Sequence, residues 1–162
     1  SSIIHMSFLD LSGNNPSRAL AEALIKDCGA EGPIYVYNAG FERGVILRLA
    51  EAFPELSVAL LAIAERLVDL LPVTRNHYYH PDQKGSWSIK AVLPTVSPDL
   101  AYAELEGVAD GSQAMDAFAE AVDPSTSAER KAQIHQELED YCRLDTLAMV
   151  RLWKYLKGDA TD

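Results

Sequence analysis

A long apolar stripe near the C-terminus, interrupted by an acid, sets the tightest limit on how this chain can fold. Ile134, Leu138, Tyr141, Cys142, Ala148, Met149 and Leu152 recur at helical spacing and define one largely apolar face. Asp145 falls in phase in the middle of that face, one turn beyond Tyr141. A carboxylate turned toward a core is costly unless it is paired, hydrogen-bonded or bound to a metal. Glu42 repeats the pattern early in another helix, in phase with Ile46, Leu49 and Phe53. Two acids at the apolar edges of two helices point to a shared polar site.

The chain of 162 residues suits a single domain spanning 1–162, and with 48% hydrophobic residues it has the material for a real core. Its richest apolar run, Leu56 to Leu71, is broken by Glu65, Arg66 and Asp69, so no membrane span is expected. Asp10 closes the first apolar stretch too early for a signal peptide. Cys28 and Cys142 form no metal-type pair, and together these signs favour a cytoplasmic setting. A formal charge of −10 argues against a broad nucleic-acid-binding surface, because phosphate contact relies on Lys and Arg. It does not argue against a nuclease, whose metal-binding carboxylates are acidic by necessity. Arg43, Arg75, Lys84, Lys90 and Arg143 remain for a local groove. Position 1 is not Met, and the chain reads as a piece of a longer protein.

Along the chain, Ile3 to Leu9 reads as a strand closed by Asp10. Asn15-Pro16 opens a helix from about Ser17 to Cys28, with Gly29 as its stop. Ile34 to Tyr37 reads as a buried strand, followed by the turn Asn38-Ala39-Gly40 and a helix from near Phe41 that ends before Pro54. Another helix is expected from about Leu56 to Leu67. Val68 to Leu71 is either its last turn or a short strand, and apolar length alone does not decide. Val73 to Ser86 reads as a loop. Ser88 to Leu93 reads as a short helix closed by Pro94, and Asp110 to Val122 as a helix with Asp110 as N-cap. The final helix runs from near Ser127 to about Leu156, with Gly158 after it; Arg130 stands where a capping box needs an acid. Two or three strands against about five helices make a mixed α/β domain with a thin sheet, and a sheet of two strands is marginal alone.

Two segments carry the chemistry. Tyr35-Val-Tyr-Asn-Ala-Gly-Phe-Glu42 reads as strand, tight turn and helix start, which brings Asn38 and Glu42 to the C-terminal edge of a strand, where ligands gather in α/β domains. The bland alternative for Glu42 is a first-turn acid favourable to the helix dipole. Tyr141-Cys-Arg-Leu-Asp145 places a phenol and a carboxylate four residues apart on one helical face. There the alternative is a half-buried aromatic beside an acid that caps a neighbour. His77 and His80 lack a third ligand and fit a loop-packing role better than zinc. Tyr78, Tyr79 and Trp87 suit either base stacking or loop anchoring, and the second is favoured. Lys90 is a candidate phosphate contact or a solvated lysine, and Asp69 a further acid or a helix-end residue.

Taken together, Asn-x-x-Phe-acid after a strand and Tyr-x-x-x-Asp on a late helix resemble the second and third motifs of DEDD-type 3′–5′ exonucleases. Those enzymes belong to the ribonuclease H-like superfamily, and the tyrosine marks their DEDDy branch. Asp69-Leu70 and Ser88-Ile-Lys-Ala-Val-Leu93 are similar to the elements between those motifs. More closely, the run from Tyr35 to Met149 resembles an uncharacterised bacterial domain family of predicted nucleases with this fold, through Tyr79-His-Pro, Gly85-Ser and Tyr141-Cys-x-x-Asp-Thr146 among others. The resemblance implies that Glu42 and Asp145 bind metal and that Tyr141 orients water; Asn38, by its place at the strand edge, and Lys90, by its charge, are the candidate substrate contacts.

Two departures stand out. The acid of motif two is glutamate where the well-known exonucleases have aspartate, and no Asp-x-Glu precedes Ile3. The resemblance therefore implies an N-terminally truncated ribonuclease H-like fold, with at most two of four metal-binding carboxylates present and little activity in the fragment. The implied chemistry is phosphodiester hydrolysis of DNA or RNA by two Mg²⁺ or Mn²⁺ ions held by hard oxygen ligands about 4 Å apart. A non-catalytic module of the same fold, contacting protein or nucleic acid within a larger repair protein, is the alternative. An unrelated helix-rich scaffold is a third. Other domains of the parent protein, and self-association through an exposed sheet edge, are the further partners expected.

Overall fold

The structure, a computed structural model, describes residues 3–100, 102 and 105–159. It is α/β and 64% helical, with seven helices and one small parallel sheet of two strands among the described residues. The chain divides into two compact units, Asn15–Trp87 and Ser1–Asn14 with Ser88–Asp162. None of the described helices is long and apolar enough to cross a membrane.

In the unit 15–87, the Asn15 side chain accepts from the Ser17 N–H (3.0 Å) to open α1, Ser17–Cys28. Gly29, with φ 58°, ends it in a conformation that a side chain disfavours. β1, Ile34–Val36, is followed by α2, Gly40–Ala52, a 3₁₀ turn at Pro54–Leu56, and α3, Ser57–Glu65. β2, Leu67–Asp69, then returns parallel to β1 with Ile34 opposite Leu67 and Val36 opposite Asp69. Parallel pairing requires such a helical crossover. The core comprises Ala21 of α1, Ile46, Leu49 and Ala50 of α2, and Leu60, Ile63 and Ala64 of α3.

The connection from α1 to β1 is held by one side chain. The Arg66 guanidinium donates to the carbonyls of Cys28 (2.8 Å), Gly29 (2.7 Å), Glu31 (3.0 Å) and Gly32 (2.8 Å). A planar five-donor fork suits this multiple capture where an ammonium does not.

Two expectations are corrected here. The helix expected to run through Leu67 stops at Glu65, and the ambiguous apolar run resolves as strand followed by helix α4, Leu70–His77. Asp69 decides this, because its carboxylate accepts from the Leu71 N–H and caps α4. The loop expected from Val73 to Ser86 is therefore helical to His77 and contains a 3₁₀ turn at Pro81–Gln83. His80 caps that turn: its Nδ1 accepts from the Asp82 N–H (3.2 Å), while the Gln83 side chain accepts from the His80 N–H (2.7 Å). Tyr79 and Trp87 lie ring to ring at 6.1 Å, and Tyr79 is exposed.

In the other unit, α5, Ile89–Val96, is capped by Ser88. α6, Gly111–Val122, is capped by Asp110, and α7, Ala128–Lys157, by Ser127. α5 passes through Pro94 instead of stopping before it. Val92, Leu93 and Val96 are all buried, and that burial on both sides of the proline outweighs the loss of one helical hydrogen bond. α6 and α7 pack around Val108, Ala117, Ala121, Ile134 and Leu138. On the apolar face of α7, Ile134, Leu138, Ala148 and Leu152 are buried as expected, whereas Cys142 is exposed.

The strand expected at Ile3 to Leu9 does not form. Residues 3–10 have no regular structure, and Ile3, Ile4, Met6 and Phe8 are exposed. Adjacent isoleucines break the two-residue alternation, and β propensity is expressed only where a neighbouring strand and a packed face accept it. Leu9 and Leu11 alone of this stretch pack on the Val108 cluster, and the Ser7 hydroxyl donates to the Glu139 carboxylate (2.8 and 2.9 Å).

Candidate functional site

The expected site residues fall into two constellations, one in each unit. The first is at the C-terminal edge of the β1–β2 pair. Asn38 turns the chain out of β1 with φ 67°, a left-handed conformation that asparagine tolerates better than most residues. Its exposed side chain stands at the turn, while its N–H donates to Asp69 Oδ1 (2.9 Å) and that of Ala39 donates to Oδ2 (2.9 Å). Oδ1 also accepts from the Leu71 N–H (2.9 Å). Asp69 thus ties the turn after β1 to the start of α4. Burial pushes its carboxyl up, and the bonds from Leu71, Ala39 and Asn38 more than offset this and hold it below the usual range. A carboxylate so fully engaged by backbone is a structural residue of the site.

Glu42, in the first turn of α2, is the contrasting acid. Its Oε2 is buried and lacks a hydrogen-bond partner. Burial raises its pKa, and repulsion from Asp69 adds to the effect. Glu42 also stands on the wall of an apolar cavity of about 230 Å³ lined by Leu24, Val36, Phe41, Val45 and Leu49, among others. A hydrogen bond from its own backbone N–H offsets part of this cost.

The second constellation lies on α7 and α5. Asp145 Oδ1 accepts a 2.6 Å hydrogen bond from the hydroxyl of buried Tyr102. The Tyr141 and Tyr102 rings stand 6.4 Å apart, centre to centre. The Lys90 ammonium sits over both, 5.3 Å from Tyr102 and 5.5 Å from Tyr141, and donates to the Ala109 carbonyl (2.7 Å). Burial raises the Tyr141 pKa far above that of a free phenol, with the Asp145 carboxylate reinforcing the shift. Burial and the bond to Asp145 do the same at Tyr102. Both therefore remain phenols at any physiological pH. The costly acid in the apolar stripe of α7 is thus answered by a tyrosine hydroxyl.

Tyr102 escaped the sequence reading because it sits in a turn between α5 and α6, where no periodicity marks it. The in-phase position of Asp145 demanded a donor without saying which. Lys90 is half-buried with its ammonium engaged by the Ala109 carbonyl and the two rings, so of its two alternatives, phosphate contact or solvated lysine, the second does not hold.

Residues 1–88, just over half of the chain, match a domain family described only as "Domain of unknown function (DUF2779)". The chain belongs to this family. The DUF2779 match takes in Asn38, Glu42 and Asp69, and it ends before Lys90, Tyr102, Tyr141 and Asp145. Comparison with curated proteins and with solved structures gives no match.

Each constellation contributes a single expected metal-ligand carboxylate, Glu42 in one and Asp145 in the other, the ligand type that hard divalent cations prefer. Among the described residues, no three His, Cys, Asp or Glu side chains gather into a group able to hold a metal ion.

Proposed function

We propose that this chain is part of a metal-dependent nuclease domain of the ribonuclease H-like, DEDDy exonuclease type, acting on phosphodiester bonds of DNA or RNA. One observation carries the reading: a buried, partnerless carboxylate oxygen on Glu42, one turn into the helix that leaves a parallel strand. Retaining such a group against its desolvation cost makes sense where a cation is to be bound. The pairing of Tyr141 with Asp145 on the last long helix supports the same reading.

In this reading Glu42, in one unit, and Asp145, in the other, would each offer a carboxylate to Mg²⁺ or Mn²⁺. Bound there, the metal would supply Lewis-acid activation of water and neutralise charge on the phosphate. Tyr141, kept protonated by burial, would position that water by hydrogen bonding and would not itself take the proton. Lys90 contributes positive potential near the phosphate without direct contact, because its ammonium is tied to Ala109 and the two rings. Asn38 presents its exposed amide at the turn for a polar contact with the substrate.

The test is Mn²⁺-dependent shortening of an end-labelled single strand, by this chain and by its natural full-length protein. The expected result is activity in the full-length protein that falls by a hundredfold or more with Asp145→Asn and with Glu42→Gln, about the loss typical of a removed metal ligand or electrostatic stabiliser. A folded full-length protein that neither binds Mn²⁺ nor cuts would replace this reading with a non-catalytic module for protein or nucleic-acid contact.

A further inference from the structure

We propose that the cavity between residues 5–9 and helices α6 and α7 is a binding site for a small amphipathic amine, an apolar body whose ammonium head meets Glu139. The inference is independent of the nuclease reading: among the described residues, neither constellation contributes a side chain to this cavity.

The cavity measures about 430 Å³, within the range of small-molecule sites, which pair a mostly apolar lining with a few polar groups. One wall is the irregular stretch 5–9, and α6 and α7 supply the rest. That stretch has a defined place, because Leu9 packs on the Val108 cluster and the Ser7 hydroxyl is bonded to Glu139. The apolar lining includes Met6, Phe8, Met115 and Phe118, all of them exposed. Large apolar side chains scattered singly over a surface are ordinary, whereas four around one cavity form a patch with a use. Thioethers beside aromatic rings adapt to the shape of a guest and make favourable contacts with another ring.

The polar groups of the lining select the head. Glu139 accepts only from Ser7, and among the described residues no cation pairs with it. An ionised carboxylate has about four acceptor sites, so most remain for a donor from the guest. His5 stands on the same wall with Nε2 buried and without a partner, a cost that a guest reaching it removes. An ammonium is donor-only and positively charged, the complement of this lining. An anionic guest meets a chain with a formal charge of −10 and is repelled. Because residues 5–9 already lie across α7 at Glu139, the space suits a compact guest and not a helix.

Three probes of one shape test the inference on this chain: phenylbutylamine, phenylbutanol and phenylbutanoate, each titrated at neutral pH and followed by amide NMR. The amine should bind with a Kd of about 1 mM or tighter. Its shifts should centre on amides of residues 5–9, 114–118 and 138–146. The alcohol should bind about tenfold more weakly, having lost the charge-assisted bond, and the carboxylate more weakly still. Glu139→Gln should bring the amine down to the level of the alcohol and leave the alcohol unchanged, a pattern that general loss of structure does not give. Cys142→Phe, which fills the cavity from an exposed position on its lining, should abolish binding of all three. Equal affinity for the three heads, or amine binding untouched by Glu139→Gln, overturns the ligand class. Amine shifts scattered over the acidic surface, or binding retained in Cys142→Phe, overturn the site itself.

Discussion

At the scale of single residues, the two acids beside β1 and β2 show how surroundings assign opposite roles to like groups. Asp69 accepts three backbone N–H bonds and is stabilised as an anion, whereas Glu42 has a buried oxygen with none and is destabilised as one. The signs of their pH dependence follow. The folded-state pKa of Glu42 is raised above its ordinary value of 4.5, so stability is complete below that pH and is lost as pH rises through the higher folded value. Glu42→Gln removes that loss. Its melting temperature should exceed wild type at pH 7, by on the order of 2 °C, and coincide with it near pH 4. Millimolar Mn²⁺ should narrow the gap by stabilising the charged wild-type form. A thermal melt series from pH 4 to 8 reads this directly, and a Glu42→Gln variant less stable than wild type at pH 7 would show that the carboxylate has a partner there. The phase of Glu42 with Ile46 and Leu49 made its exposure to an apolar wall legible from the sequence. Of the two alternatives open for Asp69, the helix-end one holds, since it caps α4; its bonds to Asn38 and Ala39 were not legible, because those lie some thirty positions away and are backbone groups.

At the scale of elements, helices with a strong apolar period were readable: α1, α2, α6 and α7 stand close to where spacing and caps set them. The failures share a cause, which is that non-local contacts decided the outcome. Ile3 to Leu9 has strand composition but no neighbouring strand, and Leu67–Asp69 became a strand only by pairing with Ile34–Val36. Arg66 shows the same limit. It stands directly before β2, and nothing in its local sequence tells that it gathers four carbonyls from residues 28–32. Bonds to a charged donor contribute more than neutral ones, but three of the four acceptors belong to exposed residues, where water takes the place of a lost bond. Arg66→Lys should therefore destabilise the chain by about 1–2 kcal/mol, since an ammonium reaches one or two of the four acceptors. Hydrogen exchange would locate the effect, with amides of residues 29–34 losing protection before those of α2 and α3. Retained protection at 29–34 would mean that the loop is held by its own backbone and that the guanidinium only decorates it.

At the scale of the whole molecule, charge acts in a way that no single helix or strand can answer. Twenty-four acidic side chains face fourteen basic ones, a formal surplus of −10. The ion pairs that offset it in part, such as Arg18 with Glu22 (3.2 Å), Arg130 with Glu120 (2.8 Å) and Arg151 with Asp99 (3.4 Å), are largely solvent-exposed. Exposed pairs contribute about 0–1 kcal/mol each, and salt weakens them. Self-repulsion of the surplus is also weakened by salt, with the opposite effect on stability. The two compete, and the count favours repulsion: each basic group can neutralise one acid, and ten acids remain without a counterpart. Between about 0.01 M and 0.1 M NaCl the screening length falls from about 30 Å to about 10 Å, which cuts off long-range repulsion while close pairs retain part of their attraction. The melting temperature should therefore rise across that interval by on the order of 2–4 °C, or about 1 kcal/mol in a chain of this size. Chloride is the salt to use, since sulfate would stabilise by exclusion from the surface regardless of charge. A fall in melting temperature would show that the ion pairs outweigh the surplus. The same surplus bears on the proposed substrate. A polyanion approaching this chain meets net repulsion, so contact with phosphate must rest on a few local cations and on divalent metal, and binding to a single strand should strengthen with Mn²⁺ far more than lowering NaCl alone can achieve.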